Sequence, residues 1–520
     1  MPEMTIQQAV ELGVKHHHAG QLEQAETIYR QVLAVDPNCA DALHLLGLIG
    51  LQTNHLEPAR ELVEAAVSKV GNIADYHRTL GDIYGALRRP ADAAKAYQRA
   101  VELNPEFVEA WNNMGVAFAD LGRTEEAITA YRRTIELRPD SPNPYTNLSH
   151  ALREQGLLDE AIAAARQALA CDPNFPDAFN NLGVALFRQG KTQEAIDAFR
   201  KAISLRSDYP LAHANLGMAL LRRGDFEEGW VEYEWRARMS GFFKLNVEAA
   251  TLWNGEDISG RRILLHVEQG FGDALQFIRY APLLAERGAK VLVACQPELA
   301  RLFRSVPGIE QVIIPNDQSP PFDVHCPLPS LPKAFKTTLQ TIPANVPYFK
   351  VEPEPSAHWR SRLSEDPRPK KVGLVWSGRV DYGNDRSRAM GLAALAPLGA
   401  IKNVCWVSLQ KGDGADQARR PPDGLELFDW TQELKDFADS AALIENLDLV
   451  ITVDTAVAHL AGGLGKPVWV ILPTTADWRW MLDRDDSPWY PTMRLFRQPA
   501  AGDWNAAVYQ LASELQTLMR

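Results

Sequence analysis

Aligned at a period of 34, residues 3–206 repeat themselves. Positions 25, 59, 93, 127, 161 and 195 are all alanine. Positions 13, 47, 81, 115, 149, 183 and 217 read Gly, Gly, Gly, Gly, Ser, Gly, Gly, and positions 29, 63, 97, 131, 165 and 199 read Tyr, Val, Tyr, Tyr, Ala, Phe. Pro, Gly or Ser recurs at 37, 71, 105, 139, 173 and 207. Small and aromatic residues held in phase over so long a period specify stacked helical hairpins. The small residue lets two helices approach, the aromatic ring fills the space that remains, and the turn residue ends one hairpin before the next begins. No other feature restricts the fold as severely.

The pattern resembles the tetratricopeptide repeat, with six full units across about residues 3–206. A seventh begins near Tyr209 and decays into "RRGDFEEGWVEYEWRARM", which reads as a cap sealing the stack. Such arrays curve into a superhelix whose groove binds extended peptides or partner helices. Asn113, Asn147, Asn181 and Asn215 recur in one register, which Thr79 and Leu45 hold in earlier units. An amide donates and accepts at once, so a row of them can hold a peptide backbone without reading its side chains. This half is similar to the repeat half of O-GlcNAc transferases, and the resemblance implies that these four asparagines bind the acceptor. The alternative is that Asn recurs only because the motif does. His16, His17 and His18 are consecutive, so a helix points them in different directions, and a solvated face is expected rather than a metal site.

At 520 residues the chain exceeds one compact core. Its net charge of −12 argues against coating nucleic acid or anchoring to an acidic membrane. Neither a membrane span nor a signal peptide is read. The five cysteines, Cys39, Cys171, Cys295, Cys326 and Cys405, lack zinc spacing and point to a reducing, cytoplasmic setting.

From about residue 250 the period stops. An apolar strand at 263–267, a Gly-rich turn, a helix near 273–287 and the strand "KVLVACQ" form a βαβ unit. "QVIIPN" at 311–316 is another strand, and the proline-rich 317–370 reads as connecting segments plus a bridge. A second set has strands at 370–378, 404–412, 447–455 and 466–473. The fold expected is an all-α superhelical tetratricopeptide repeat (1–240) followed by two Rossmann-like α/β lobes (241–345 and 346–520).

Ligands of open α/β sheets bind at the carboxyl ends of the strands. Two motifs fall there. "EQGFGDA" lacks the third glycine of a dinucleotide fingerprint, which disfavours hydride transfer. Its Asp273 sits at a helix mouth, as a cap or as a general base. In "DTAVAHLAGGLG", Thr455 and Ala456 open a helix suited to phosphate. His459 follows one turn later on the same face, as a phosphate donor or a core histidine. Asp454 holds the turn or meets a ribose hydroxyl, and Gly462, Gly463 and Gly465 end the helix. In "SGRVDYGNDRSR", Ser377, Arg379 and Arg388 can reach phosphates, and Gln410 and Lys411 can line a nucleoside pocket. Each can instead be an ordinary surface residue. Trp478 and Arg479 stand beside the expected cleft or in the core.

The strand–"GFGD"–helix together with "D-T-x-x-x-H-L-A-G" resembles GT-B glycosyltransferases of the lipopolysaccharide heptosyltransferase type, over roughly 255–520. The resemblance implies an inverting, metal-independent transferase with Asp273 as base, and with Asp454, Thr455 and His459 at the donor diphosphate. Ala456 replaces the family's glycine. No cofactor is implied beyond a nucleotide-sugar co-substrate. Repeats joined to such a domain are similar to bacterial protein O-glycosyltransferases, including those that modify flagellin. The expected function is sugar transfer to a Ser or Thr hydroxyl of a protein held by the repeats. Transfer to a lipid-linked saccharide and a non-catalytic scaffold are the alternatives. The sugar, the nucleotide and the oligomeric state are not legible.

Overall fold

A computed structural model describes residues 4–239, 251–268, 270–315, 317–318, 320–378 and 390–518. The helices of the repeat region are α1 (Ile6–His18), α2 (Leu22–Val35), α3 (Ala40–Gln52), α4 (Leu56–Lys69), α5 (Ala74–Ala86), α6 (Pro90–Leu103), α7 (Val108–Asp120), α8 (Thr124–Leu137), α9 (Pro142–Glu154), α10 (Leu158–Cys171), α11 (Pro176–Arg188), α12 (Thr192–Leu205), α13 (Pro210–Arg223) and α14 (Phe226–Tyr233). The phase of the sequence is the phase of the packing. A Cβ placed on Gly81 would stand 2.7 Å from Cδ1 of Tyr97, and one on Gly115 would stand 2.8 Å from Cδ1 of Tyr131. Any larger residue would collide with the ring that fills the hairpin. The repeated alanines 25, 59, 93, 127, 161 and 195 are all 1% exposed or less.

The α/β region begins with β1 (Thr251–Leu252), β2 (Arg262–His266), α15 (Phe271–Phe277), α16 (Ala281–Glu286), β3 (Lys290–Ala294), α17 (Pro297–Phe303), β4 (Ile309–Ile313), β5 (Val324–Pro327) and α18 (Leu331–Ala334). The five strands form a parallel sheet in the order β1-β5-β2-β3-β4. After α19 (Pro353–Ser364) come β6 (Lys370–Val375), β7 (Val404–Ser408), β8 (Leu427–Asp429), α20 (Phe437–Glu445), β9 (Leu449–Val453), α21 (Ala456–Gly463), β10 (Val468–Leu472), β11 (Met493–Arg497) and α22 (Trp504–Leu518). These six strands form a second parallel sheet, β11-β10-β9-β6-β7-β8. Every residue of β7, β9 and β10 is buried, as expected of parallel strands covered on both faces.

Three sequence expectations need correction. The stretch 317–370 is not merely connecting: it supplies β5, which pairs with β2 through Ile263–Val324 and Leu265–Cys326, and α19, whose first residue is Pro353. The helix expected at 273–287 is broken into α15, a 3₁₀ turn (Ile278–Tyr280) and α16, with Pro282 at the restart. The cap does more than seal a stack. By compactness the chain divides into one unit of Met1–Gln189 with Ser204–Arg206, and another of Gly190–Ile203 with Ser207–Arg520. α13 and α14 thus lie in the same compact unit as the sheets. The reason is aromatic burial: Trp230 of α14 lies edge-on to Trp478 at 5.3 Å and to Trp489 at 6.5 Å between ring centroids, and its indole N–H donates to the Thr337 carbonyl at 2.9 Å.

Candidate functional site

In the first unit, the recurring asparagines have internal work. Nδ2 of Asn113 donates to Asp82 Oδ1 at 3.1 Å, that of Asn147 to Asn112 Oδ1 at 3.2 Å, and that of Asn181 to the Thr146 carbonyl at 3.1 Å. Each amide therefore ties its helix to the corresponding helix one repeat earlier, and is half-buried there. Asn215, in the second unit, is also half-buried. Every amide nitrogen carries two protons, so one donor each on Asn113, Asn147 and Asn181 remains beyond these bonds. His16 and His17 turn to the side-chain oxygens of Gln21 and Gln52.

In the second unit, the two motifs read from the sequence meet. α15 starts at the end of β2, and α21 at the end of β9. Their first turns pack together: a Cβ on Gly272 would lie 3.1 Å from Cδ2 of His459 and 3.9 Å from Cα of Ala456. Asp273 is the third residue of α15, and Gly270 rather than Asp273 is the N-cap. The Asp273 carboxylate, 14% exposed, is ion-paired with Arg479. That guanidinium also donates to Gln276 Oε1 at 2.6 Å and Asp477 Oδ1 at 2.7 Å, and lies 4.4 Å from the Trp478 ring centroid. Burial works against the Arg479 charge, but Asp273 and Asp477 outweigh it and hold the guanidinium above its ordinary value.

His459 is 4% exposed. Its Nδ1 is 2.9 Å from the Tyr490 hydroxyl, and its ring stacks on Trp480. The expectation of an imidazole facing an open cleft is therefore corrected: the ring is packed in the seam between the lobes. Thr455 is the N-cap of α21, its hydroxyl 3.0 Å from that of Thr452, and Asp454 before it is half-buried. Gly462 and Gly463 are the last two residues of α21. There a Cβ would reach 2.6 Å from the rings of Tyr490 and Phe349. Gly465, at φ +72°, is the one that turns the chain.

Gln410 also needs correction as a pocket-lining residue. It is 2% exposed. Its Oε1 accepts from the Trp376 and Ser377 amides at 3.0 and 2.9 Å, while Nε2 donates to the carbonyls of Ser377 and Asp413 at 3.0 and 2.8 Å. The side chain is a clip between two loops. Ser377 is likewise buried, its hydroxyl donating to the Gly378 carbonyl at 3.1 Å. Lys411 is exposed, and its ammonium donates to the Leu434 carbonyl. Arg379 and Arg388 lie outside the described residues. Trp478 is core, at 2% exposure.

Other functional-looking groups escaped the sequence reading. Arg236, 2% exposed, donates to Glu268 and Glu234 at 3.0 and 2.7 Å and to the Ser330 hydroxyl at 2.7 Å. It ties the turn after α14 to the loop that leads into α15. Arg279 reaches the Trp489 carbonyl at 2.6 Å and the Tyr348 hydroxyl at 3.2 Å. Asp273, Gln276 and Arg279 recur every three residues along an otherwise apolar segment. That stripe was the available signal for a seam partner.

At the end of β2, His266 Nε2 is 3.1 Å from Nδ1 of His325. Burial, then the neighbouring charges of His325 and Arg236, push its imidazole down to about 4. An unfolded histidine takes a proton near 6.5, so between pH 6.5 and 4 unfolding takes up a proton and stability falls as the pH falls. The loss across that window should approach about 3 kcal/mol. Urea midpoints of the wild type and His266→Gln at both ends of the window check it. An equal slope in the variant would show that another group is responsible.

With the geometry in hand, relatives can be compared. The family model of the cilia and flagella-associated protein 70 C-terminal domain matches residues 3–215, and a tetratricopeptide-repeat model matches 210–229. Protein FlbA of Caulobacter vibrioides is 28% identical over 321 residues, which is 56% of this chain and 52% of FlbA. The chain thus spans about half the length of that curated relative. Among solved structures, MamA is 28% identical over 31% of this chain and 94% of its own, with a TM-score of 0.30. YrrB, described as a TPR protein with an unusual peptide-binding site, is 21% identical over 35% of this chain and 95% of its own, with a TM-score of 0.33. The family matches, the 34-residue phase and the Gly–Tyr contacts agree: the region from residue 3 to residue 229 is an array of tetratricopeptide repeats.

Proposed function

We propose that this chain is a protein O-glycosyltransferase. The repeats bind a segment of an acceptor protein, and the α/β half, a GT-B pair of lobes, transfers a sugar to it from a nucleotide-sugar. The supporting observation is the meeting of the first turns of α15 and α21, Gly272 against His459, at the carboxyl ends of β2 and β9. Parallel α/β sheets bind ligands at those ends, and the two motifs that resemble glycosyltransferase motifs are the ones brought together.

In this reading an acceptor hydroxyl attacks the anomeric carbon as the bond from that carbon to the diphosphate oxygen breaks. The hydroxyl proton passes to the Asp273 carboxylate, and the nucleotide departs as its diphosphate. Arg479 keeps Asp273 ionised and aimed, which makes the carboxylate a weak base that acts late in the transfer. The amides of Thr455 and the residues that open α21 face the leaving charge, with Asp454 beside them. The buried His459 holds the two first turns together.

A calorimetric and thermal-shift screen against UDP, GDP, ADP and CMP tests the reading, followed by a transfer assay with the matching sugar donor. One nucleotide should raise the melting point. Asp273→Asn should keep that binding and lose transfer by about 10²-fold or more. A non-catalytic scaffold is the second reading, favoured by the commitment of Asp273 to Arg479 and by the burial of His459. It predicts no shift with any nucleotide.

A further inference from the structure

Position 85 breaks a register. Equivalent positions in the other repeats hold His17, Leu51, Ala119, Arg153 and Phe187, but the third unit holds glycine. A Cβ built on Gly85 meets nothing within 4 Å. The missing side chain leaves a hollow between α5, α6 and α7, a cavity of about 490 Å³ walled by Ala93, Asn113 and Val116, with Arg88 and Asp120 also lining it. Its wall is braced from behind: Asp82 accepts from Asn113 and from the Tyr97 hydroxyl, and pairs with Arg78.

Two features identify what fits. Val116 keeps 40% of its surface exposed, an apolar ledge for an aliphatic stem. Asp120, beyond it, is exposed and makes no ion pair or side-chain hydrogen bond among the described residues. The surroundings have the same sign, since residues 1–189 contain 25 acidic and 16 basic side chains. Resting on the peptide-binding part of the reading above and not on sugar transfer, we propose that this hollow receives a lysine or arginine of an extended segment of the partner protein. Its methylenes lie on Val116 and Ala93 and its charge stands at Asp120. Arg88, exposed and lining the same cavity, opposes that charge and supplies a test of sign.

The test uses the full chain and three fluorescent peptides of one Ala/Ser/Thr sequence that differ only in a central Lys, Leu or Glu, followed by anisotropy. The Lys peptide should bind tightest. Asp120→Asn should weaken it by up to about fivefold. Gly85→Leu, which inserts the side chain already present at Leu51, should weaken it by about tenfold while leaving helicity intact, because leucine is the better helix former. Arg88→Ala should tighten it. Preference for the Glu peptide, or Lys binding indifferent to Gly85→Leu and Asp120→Asn, would overturn the pocket while leaving peptide binding in place. Absence of binding by all three peptides would overturn both.

Discussion

Replacing Arg479 by alanine should destabilise the second unit by about 3–5 kcal/mol, the usual cost of removing one member of a buried ion pair. The side chain is 9% exposed, and its donors serve Asp273, Gln276 and Asp477 together. Without it Asp273 and Asp477 lose the guanidinium that both are ion-paired with in the seam. Lysine should rescue little, because one ammonium cannot span three acceptors as the planar guanidinium does. Asp273→Asn combined with Arg479→Met should recover part of the loss, since it neutralises one of the two carboxylates together with the cation, while Asp477 still loses its guanidinium. Urea midpoints of the wild type, Asp273→Asn, Arg479→Met and the double variant make a double-mutant cycle with a coupling of at least about 1 kcal/mol. A cost of Arg479→Ala below about 1 kcal/mol would mean that Asp273 is solvated, and the seam described here would be open in solution. The same pairing shapes the proposed chemistry: the carboxylate proposed as base is the one that Arg479 holds in place.

The parts of this fold that could be read from sequence are those in which one residue type answers one local demand. The 34-residue phase is legible because each Gly–Tyr contact excludes every larger residue at the glycine. The strands of both parallel sheets are legible because burial on two faces leaves nearly continuous apolar runs such as "LVITV". β5 was hidden by length and punctuation: it is four residues long, ends in Pro327 and lies between Pro320-Pro321 and Pro329, and only pairing with β2 gives it a sheet position. α19 was hidden by prolines that break a helix elsewhere but suit its first turn. The candidate site was legible as two motifs but not as a geometry. Asp273 and Arg479 lie 206 positions apart, and nothing local says that one carboxylate will be claimed by one guanidinium. Nor does "AVAHLAGG" distinguish an imidazole facing ligand from one pressed on Trp480 and Tyr490. The asparagine row was read correctly as a register, while its bonds to the preceding repeat required the stack itself.

Trp230→Ala should cost about 3–5 kcal/mol, and the loss should fall on the unit that contains the sheets. The indole is 2% exposed and sits among Phe226, Tyr233, Trp478 and Trp489. Those rings come from α14 and from segments more than two hundred residues later, so the cavity left behind cannot close by a shift of one helix. Trp230→Phe keeps most of the apolar contact and loses the bond to the Thr337 carbonyl, for about 1 kcal/mol. Calorimetry discriminates the roles open to α13 and α14. If they belong to the α/β core, as the compact units indicate, Trp230→Ala lowers the α/β transition and leaves the repeat transition in place. If they merely seal the stack, the repeat transition falls instead, because an array of repeats draws its stability from nearest-neighbour contacts and loses it first at an uncapped end. The first outcome would make the last hairpin part of the α/β half, so that truncations meant to isolate that half must retain everything from Gly190 onward.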